Sequence, residues 1–259
     1  MHLLNSNCWV ECLSPRPEAK YRLLCFPYVG GAASLYRLWP SLLSPDIELH
    51  AIELPGRGRR FGENFFSSLL ELILEFQKSC ESLLGKPFAV FGHSMGALLA
   101  FEWVRILRKN QMQTPFVLFL SAFGAPHLTP KPNKNLHLLP DSELLLELKR
   151  LQGTPLEVLE HQELMQLLLP MIRADLKMLE TYRYGPEFPL DIPFRILGGK
   201  QDAEVEEFRL SAWKDLTTAS FKQKYFEGDH FFVQSVRQEV LSFISEEIES
   251  SFCENKPIF

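Results

Sequence analysis

Short apolar runs alternate with longer amphipathic stretches along most of the chain. The apolar runs predict strands over residues 21–26, 48–52, 88–91, 116–121, 194–197 and 221–226. Apolar residues at helical spacing predict helices over 65–84 and over 233–250. A third helix is predicted after the turn that follows the strand at 88–91, and it runs to about Arg108. Ser34 is expected to cap a further short helix that runs through Leu42. Strands that alternate with helices predict an α/β fold, with a mostly parallel sheet and helices on both faces.

The alternation stops between about residues 125 and 190, where only helical patterns are found. Asp141 is expected to cap one helix, and Thr154 opens a capping box with proline at the first helical position. Leucines and methionines continue at helical spacing to Leu179, with Pro170 either restarting or kinking this helix. Because the strand pattern returns afterwards, we predict that residues 125–190 form a helical lid inserted over the carboxyl edge of the sheet.

Composition and charge narrow the class of protein. With 259 residues, 46% hydrophobic and 23% charged, the chain fits one globular domain, residues 1–259, that contains the inserted lid. Its net charge of −5 lacks the excess of basic residues that is typical of nucleic-acid-binding proteins. The longest apolar run, residues 116–123, is too short to span a bilayer. Residues 1–20 are predicted to be irregular, and their first part lacks the pattern of a signal peptide.

The number and spacing of the cysteines indicate the cellular compartment of the protein. The five cysteines show no paired metal-ligand spacing, and an odd number without an export signal indicates free thiols in a reducing cytoplasm. We therefore expect a cytoplasmic protein that binds no metal ion. From its charge and its short apolar runs we expect that it binds no nucleic acid and spans no membrane. We also expect a monomer.

The strongest chemical signal surrounds Ser94. Residues 92–96 are Gly-His-Ser-Met-Gly, preceded by an apolar run and followed by an apolar helical pattern. This order of strand, G-x-S-x-G turn and helix is typical of a nucleophile elbow, in which glycines make room for a tight turn. The turn lifts the hydroxyl out of the sheet and places it at a helix N-terminus, where negative charge is favoured. We predict that Ser94 is a catalytic nucleophile.

A serine nucleophile needs a base and an acid that orients the base. In this fold they follow in the order serine, acid, histidine. His230 comes after the last predicted strand, in the loop before the last helix, where the base is expected. Asp202 follows the strand at 194–197 and is predicted to orient the His230 ring, whereas Asp191 and Asp215 are interpreted as ordinary turn residues.

Two backbone N–H groups are expected to complete this site as an oxyanion hole. One belongs to Met95, the residue after the nucleophile. The other is expected from the glycine-containing loop after the first strand, residues 28–31, where the backbone can approach a ligand closely.

A set of stretches matches one known family when they are taken together. They are residues 26–31 (FPYVGG), 54–57 (LPGR), 91–96 (FGHSMG), 153–155 (GTP), 169–170 with 173–175 (LP and RAD), and 228–232 (GDHFF). On these residues the chain resembles the type II, stand-alone thioesterases of polyketide, nonribosomal-peptide and fatty-acid synthesis, which have the α/β-hydrolase fold. The resemblance carries the catalytic triad onto Ser94, Asp202 and His230, and the oxyanion donors onto Val29 and Met95.

The resemblance also implies a reaction. Such enzymes hydrolyse acyl groups from the phosphopantetheine thiol of carrier proteins, in editing or in chain release, without a metal or organic cofactor. The implied partners are a phosphopantetheinylated acyl or peptidyl carrier protein or its synthase, and an acyl thioester substrate. Three alternatives stay open: a carboxylesterase or lipase of the same fold, an acyltransferase, and a non-catalytic carrier-protein binder.

Two further features bear on the substrate. Leucines and methionines of the predicted lid either line an acyl groove or form the core of the lid: Leu144, Leu148, Leu168, Met171 and Met178. The basic loop at residues 57–60 either meets an acidic carrier protein or a phosphate, or is simply a solvated loop.

Overall fold

The computed structural model describes residues 8–80, 83–128 and 135–254. At its centre is a seven-stranded sheet with the strand order β1-β3-β2-β4-β5-β6-β7. The strands are β1 (Val10–Cys12), β2 (Tyr21–Phe26), β3 (Ile47–Ile52), β4 (Phe88–His93), β5 (Leu118–Ser121), β6 (Phe194–Gly199) and β7 (Phe221–Phe226). Strands β2 to β7 are parallel, and only β1 pairs antiparallel, with β3. The predicted α/β class with a mostly parallel sheet is therefore confirmed.

Helices connect and flank these strands. They are α1 (Leu69–Lys78), α2 (Met95–Lys109), α3 (Asp141–Leu151), α4 (Leu156–Leu159), α5 (Gln162–Thr181), α6 (Glu207–Ser211), α7 (Phe232–Ser235) and α8 (Arg237–Glu254). Helices α3, α4 and α5 follow one another between β5 and β6, where the sequence predicts an inserted helical block. Residues 129–134 of that block lie outside the described residues. In the described part of the chain, every helix is too short or too polar to cross a bilayer.

Alternate side chains of the strands enter two different hydrophobic clusters, one on each face of the sheet. In β2, Leu24 and Phe26 pack into the cluster that holds α1 and α2. Leu23 and Cys25 pack into the cluster that holds the apolar side of α8. Strands β2 to β6 are consequently buried on both faces, which explains why they form mainly apolar runs in the sequence.

Two local predictions near the N-terminal part of the sheet were wrong. The segment before β2 contains a strand, β1, which is only three residues long and half-buried, so it leaves no apolar run. The helix expected from Ser34 consists of two separate 3-10 helices, Ala33–Tyr36 and Pro40–Leu42, and Ser34 caps neither of them. Pro40 has no N–H group to continue the first helix and stands instead at the start of the second.

Two predicted helices have different limits in the structure. The helix expected over 65–84 begins after Ser68, whose hydroxyl accepts a hydrogen bond from the Glu71 N–H, and it ends at Lys78. Residues 81 and 82 of that prediction lie outside the described residues. The helix expected over 233–250 is divided into α7 and α8.

The helix starts in the block between β5 and β6 were also only partly predicted. Asp141 is the first residue of α3 and makes no capping bond. The expected capping box at Thr154 is absent, because Pro155 occupies the capping position of α4 and no side chain caps that helix. Helix α5 is capped instead by the His161 ring, which accepts a hydrogen bond from the Leu164 N–H. Pro170 lies inside α5, which continues through it.

Candidate active site

Ser94 stands in a sharp turn between β4 and α2. Its backbone has φ 53° and ψ −121°, a conformation that non-glycine residues rarely adopt. A Cβ atom on Gly92 would collide with the carbonyl group of Gly96, and one on Gly96 would collide with the carbonyl of Phe26. Both glycines of the G-x-S-x-G motif are therefore required by close backbone approach, as the elbow predicts.

The three predicted catalytic side chains form one hydrogen-bonded series. His230 Nε2 lies 3.0 Å from Ser94 Oγ, and His230 Nδ1 lies 2.9 Å from Asp202 Oδ2. With Nδ1–H donating to the carboxylate, Nε2 is free to accept the hydroxyl proton. The Asp202 side chain is 1% exposed and that of His230 is 12% exposed. The carboxylate is therefore shielded from solvent, whereas the imidazole ring is partly accessible.

Parallel strand order brings these residues together. Ser94 follows β4, Asp202 follows β6, and His230 follows β7, so all three lie at the carboxyl edge of the same sheet. The second oxygen of Asp202, Oδ1, accepts hydrogen bonds from the N–H groups of Glu204 at 2.8 Å and Val205 at 3.2 Å. These two bonds fix the carboxylate so that its other oxygen faces the imidazole.

The loop that carries His230 is held by its neighbours. Asp229 Oδ1 accepts a hydrogen bond from the Phe231 N–H at 2.8 Å, which tightens the turn around the base. The Phe231 ring packs edge-on against Tyr28 and His230. A Cβ atom on Gly153 would collide with the Phe231 ring, so glycine is needed there for the segment between α3 and α4 to reach this loop.

His93, the neighbour of the nucleophile, has a different role from His230. It is 1% exposed, and its Nδ1 lies 2.9 Å from Ser121 Oγ. Burial, and secondarily the proximity of His230, holds the pKa of His93 well below its usual value. A neutral ring at this place adds no second positive charge beside the base, whose ring centroid is 5.5 Å away.

The two predicted oxyanion donors belong to the residue after Ser94 and to a loop that lines the same cavity as Ser94. Met95 is the first residue of α2, so its N–H group has no acceptor within the helix. Val29 lines the same cavity as Ser94, in a loop closed by the Gly31 N–H group donating to the Tyr28 carbonyl at 2.8 Å. Burial raises the pKa of Tyr28 to about 12, which keeps its hydroxyl neutral beside the site.

A cavity of about 250 Å³ opens from Ser94 and His230 and is walled mainly by apolar side chains. Leu144 and Leu148 line it, as one of the two interpretations predicts. The other three candidates do not: Leu168 and Met171 pack in the cluster formed within α3 to α5, and Met178 packs in the core beside α1 and α2.

Several lining residues were missed by the sequence reading: Ala122, Phe123, Leu136, Leu151, Leu176, Leu179 and Val205. Ala122 and Phe123 directly follow β5, so their position at the carboxyl edge of a predicted strand was the available signal. Ala122 also has a positive φ of 51°, a strained backbone of the kind often found at functional sites.

The basic loop at residues 57–60 is not a free positive patch. Arg57 is buried in an ion pair with Asp175, at 2.7 Å. Arg60 is buried over the ring of Trp9. Of the three arginines only Arg59 is substantially exposed, so neither the carrier-docking nor the solvated-loop interpretation describes the loop as a whole.

One cluster among the described residues has the chemistry of metal ligands. Cys12, Glu48 and His50 come together where β1 pairs with β3, far along the sheet from β6 and β7. Glu48 already accepts the Arg16 N–H at 2.8 Å, lies 2.8 Å from the His50 ring and faces the Arg22 guanidinium at 3.7 Å. Its charge is thus compensated by groups of the chain itself.

A second cavity, of about 390 Å³, is larger but contains none of the triad. It lies between α1, α2 and the end of α5. Three of its charged side chains are paired with one another, because Arg105 forms ion pairs with Glu102 and Glu187. The cavity beside Ser94 is therefore the candidate active site.

Residues 21–248 match a protein family described as the thioesterase domain. The chain belongs to this family. It is 41% identical over 92% of its length to a protein of Brevibacillus parabrevis named linear gramicidin dehydrogenase LgrE, covering 92% of that protein. It is 32% identical over 95% of its length to thioesterase PikA5 of Streptomyces venezuelae, covering 87% of it.

A solved structure extends the similarity of this thioesterase to three dimensions. The type II thioesterase BorB from the borrelidin biosynthetic cluster superposes with a TM-score of 0.85 and is 34% identical in sequence. The superposition covers 93% of this chain and 97% of BorB. The expected resemblance to type II thioesterases and the α/β-hydrolase fold are both confirmed.

Proposed function

We propose that this thioesterase hydrolyses acyl thioesters borne on the phosphopantetheine arm of carrier proteins, for editing or for chain release. The observation that carries the proposal is the hydrogen-bonded series of Ser94, His230 and Asp202 at the mouth of an apolar cavity. Such a series activates a nucleophile for acyl transfer, and an apolar cavity suits an acyl chain. Similarity to the gramicidin S biosynthesis protein GrsT and to BorB, from the borrelidin biosynthetic cluster, supports a carrier-bound substrate.

The first half of the reaction transfers the acyl group to the enzyme. Ser94 Oγ attacks the thioester carbonyl carbon while His230 Nε2 takes the hydroxyl proton, and Asp202 stabilises the imidazolium. The N–H groups of Val29 and Met95 stabilise the oxyanion, each by about 2.7–4 kcal/mol in comparable sites. The C–S bond then breaks, and the leaving thiolate takes the proton from His230.

The second half returns the enzyme to its starting state. A water molecule attacks the acyl-serine carbonyl and gives one proton to His230 Nε2. The ester bond to Ser94 breaks, the serine oxygen recovers that proton, and the carboxylic acid leaves. The same base thus serves both halves, as in other serine hydrolases.

We assign residues 125–190 as a lid of this single-domain enzyme. Helices α3 and α5 supply Leu144, Leu148 and Leu176 to the cavity wall, and such a wall shelters the acyl-enzyme from bulk water. A cytoplasmic location is supported by the cysteines, which are all unpaired.

The nucleophile is tested by Ser94→Ala. We expect this variant to lose thioester hydrolysis and labelling by a fluorophosphonate probe, while it unfolds at about the temperature of the wild type. Ser34→Ala, at an exposed serine away from the cavity, is the control and keeps both properties. Labelling at another serine, with activity retained in Ser94→Ala, contradicts the assignment.

The substrate class is tested by comparing three acyl donors of equal chain length. These are an acyl group on a phosphopantetheinylated carrier protein, the same group on coenzyme A, and the same group in an oxygen ester. We expect the highest kcat/KM for the carrier-bound thioester. A preference for the oxygen ester favours a carboxylesterase, and product formed only with an added alcohol or amine favours an acyltransferase.

A further inference from the structure

The loop that carries the proposed donor Val29 is anchored from outside the sheet. It contains two consecutive glycines, and Gly30 has a positive φ of 73°. The Gly30 N–H donates to Asp175 Oδ2 at 2.8 Å, and the Gly31 carbonyl accepts from Arg57 Nη1 at 3.0 Å. Two successive glycines of this loop are therefore fixed by two side chains from elsewhere in the chain.

These two side chains also bind each other. Arg57 Nη1 donates to Asp175 Oδ2 and Arg57 Nη2 to Oδ1, each at 2.7 Å, in the forked geometry that guanidinium and carboxylate groups favour. Asp175 is 1% exposed and Arg57 is 5% exposed. A buried pair of this kind is rigid, because removing either partner leaves an uncompensated charge away from water.

The pair joins three separate parts of the fold. Arg57 belongs to the loop after β3, and Asp175 lies in α5, within the proposed lid. The loop that both side chains hold follows β2. Ile172, one turn before Asp175, also meets this loop, since a Cβ atom on Gly30 would lie 3.2 Å from its Cγ1.

We propose that Asp175 is a positioning residue for the hydrolysis described above, and this inference rests on the proposed function. Asp175 holds the Gly30 N–H away from the substrate and so leaves Val29 as the donor of this loop. Arg57 fixes the carboxylate and neutralises it, which matters because an uncompensated negative charge next to Val29 opposes the developing oxyanion. The position of α5 thereby determines whether the oxyanion hole is assembled.

The test compares two buried carboxylates. Asp175→Asn keeps the size of the side chain but breaks the charged fork to Arg57. Glu247→Gln is the matched control, because Glu247 is also buried, pairs with Arg195 at 2.5 Å and lies away from the cavity. For each variant the measurements are kcat, KM, the unfolding midpoint, and the affinity for a trifluoromethyl ketone, which forms a tetrahedral adduct with the serine.

Asp175→Asn is expected to lower kcat by about a hundredfold, the loss typical of a catalytic group displaced by about 1 Å, with little change in KM. Its affinity for the trifluoromethyl ketone is expected to fall by a similar factor, because that adduct also needs the oxyanion donors. Glu247→Gln is expected to lower the unfolding midpoint alone. A purely structural role of Asp175 predicts the same result for both variants, and that result overturns the proposal.

A second variant covers the case in which Asp175→Asn does not fold. Arg57→Lys keeps the positive charge but loses the fork, so we expect a smaller fall in kcat and in adduct affinity than for Asp175→Asn. Unchanged kcat in a folded Arg57→Lys variant contradicts the inference. Failure of the wild type to hydrolyse carrier-bound thioesters or to be labelled at Ser94 refutes the proposed function instead, so the two failures are distinguishable.

Discussion

The backbone at Ser94 connects residue type to chemistry. Its positive φ is maintained because Gly92 and Gly96 let the turn close against neighbouring carbonyls, and the Ser94 N–H donates to the Ser121 carbonyl at 2.8 Å. The strain directs the hydroxyl towards His230 instead of leaving it along the strand. The residues of the site are thus fixed by backbone contacts before any substrate is bound.

Removing the charge of the proposed acid is expected to damage the reaction far more than the fold. Asp202→Asn should lower kcat on the order of 10⁴-fold, because the amide no longer stabilises the imidazolium or the required tautomer of His230. The measurement is steady-state hydrolysis of an acyl thioester, with Asp191→Asn as the control outside the series. Near-normal turnover in Asp202→Asn, with the loss appearing in the control, identifies the wrong carboxylate.

His93 is expected to make the native state sensitive to acid. In the unfolded chain this ring binds a proton below about pH 6.5, its ordinary pKa, whereas burial lowers the pKa of His93 in the folded protein. The unfolded state then binds more protons, so the free energy of unfolding falls as the pH drops below 6.5, by up to about 1.4 kcal/mol per pH unit.

The measurement for His93 is urea unfolding of the wild type and His93→Gln between about pH 5 and 8. Glutamine keeps a polar partner for Ser121 but does not titrate in this range. The free energy of unfolding of the variant should therefore depend less on pH than that of the wild type. Parallel curves for the two proteins show that another group is responsible for the loss at low pH.

At the scale of elements, the sequence predicts what depends on local pattern and misses what depends on distant contacts. The buried strands β2 to β6 leave mainly apolar runs and were placed within a few residues, and the edge strand β7 was placed correctly from its alternating pattern. Helix starts were less predictable, since Thr154 has capping chemistry but is used in the cavity wall, while Pro155 takes the capping position. The proximity of Ser94, Asp202 and His230 followed from motif and chain order, because parallel strands bring their carboxyl ends together.

The cavity wall could not be predicted in the same way. Leucines repeat on several sides of α3 and α5, and which side faces the cavity depends on how the helices pack on one another. Leu148 faces the cavity, whereas Met178, with the same apolar character and an equally helical spacing, packs in the main core. The periodicity of apolar residues predicts that a helix forms, but it does not predict which side of the helix packs on its neighbours and which side faces the cavity.

This difference gives a test of substrate selection. Leu148→Ala should enlarge the cavity and shift the preference towards longer acyl chains, with a smaller effect on the shortest one. Met178→Ala, at a residue 2% exposed, should lower the free energy of unfolding by about 2–5 kcal/mol and leave the chain-length profile unchanged. The measurement is kcat/KM over a series of acyl thioesters. A uniform loss for all lengths in Leu148→Ala means that this residue supports the lid without selecting the substrate.

At the scale of the whole molecule, one edge of the sheet bears on the predicted monomeric state. Strand β7 is an edge strand with two exposed lysines: Lys222, which pairs with Glu247 of α8, and Lys224. Charged lysines on an edge disfavour pairing with a second sheet. This arrangement supports the expectation of a monomer.

The oligomeric state is therefore open to a direct test. Light scattering should give a mass of about 29.9 kDa for the wild type. Lys224→Ile, which replaces the edge charge by a β-branched apolar side chain, should associate or aggregate at concentrations where Lys78→Ile, on the exposed side of α1, stays monomeric. A wild-type dimer, or equal behaviour of the two variants, contradicts the role given to this edge.

The positions of the cysteine thiols allow the enzyme to be labelled outside its cavity. Cys8 and Cys253 are exposed, Cys25 and Cys80 are buried, and no cysteine is found among the described residues that line the cavity. Alkylation by iodoacetamide or a maleimide dye should accordingly occur at the two exposed sites and leave hydrolysis intact. A fluorophore attached at Cys253 lies next to Phe252, which packs on Tyr21 at the start of β2 and therefore at the opposite edge of the sheet from Ser94, so it can mark the enzyme without blocking the cavity.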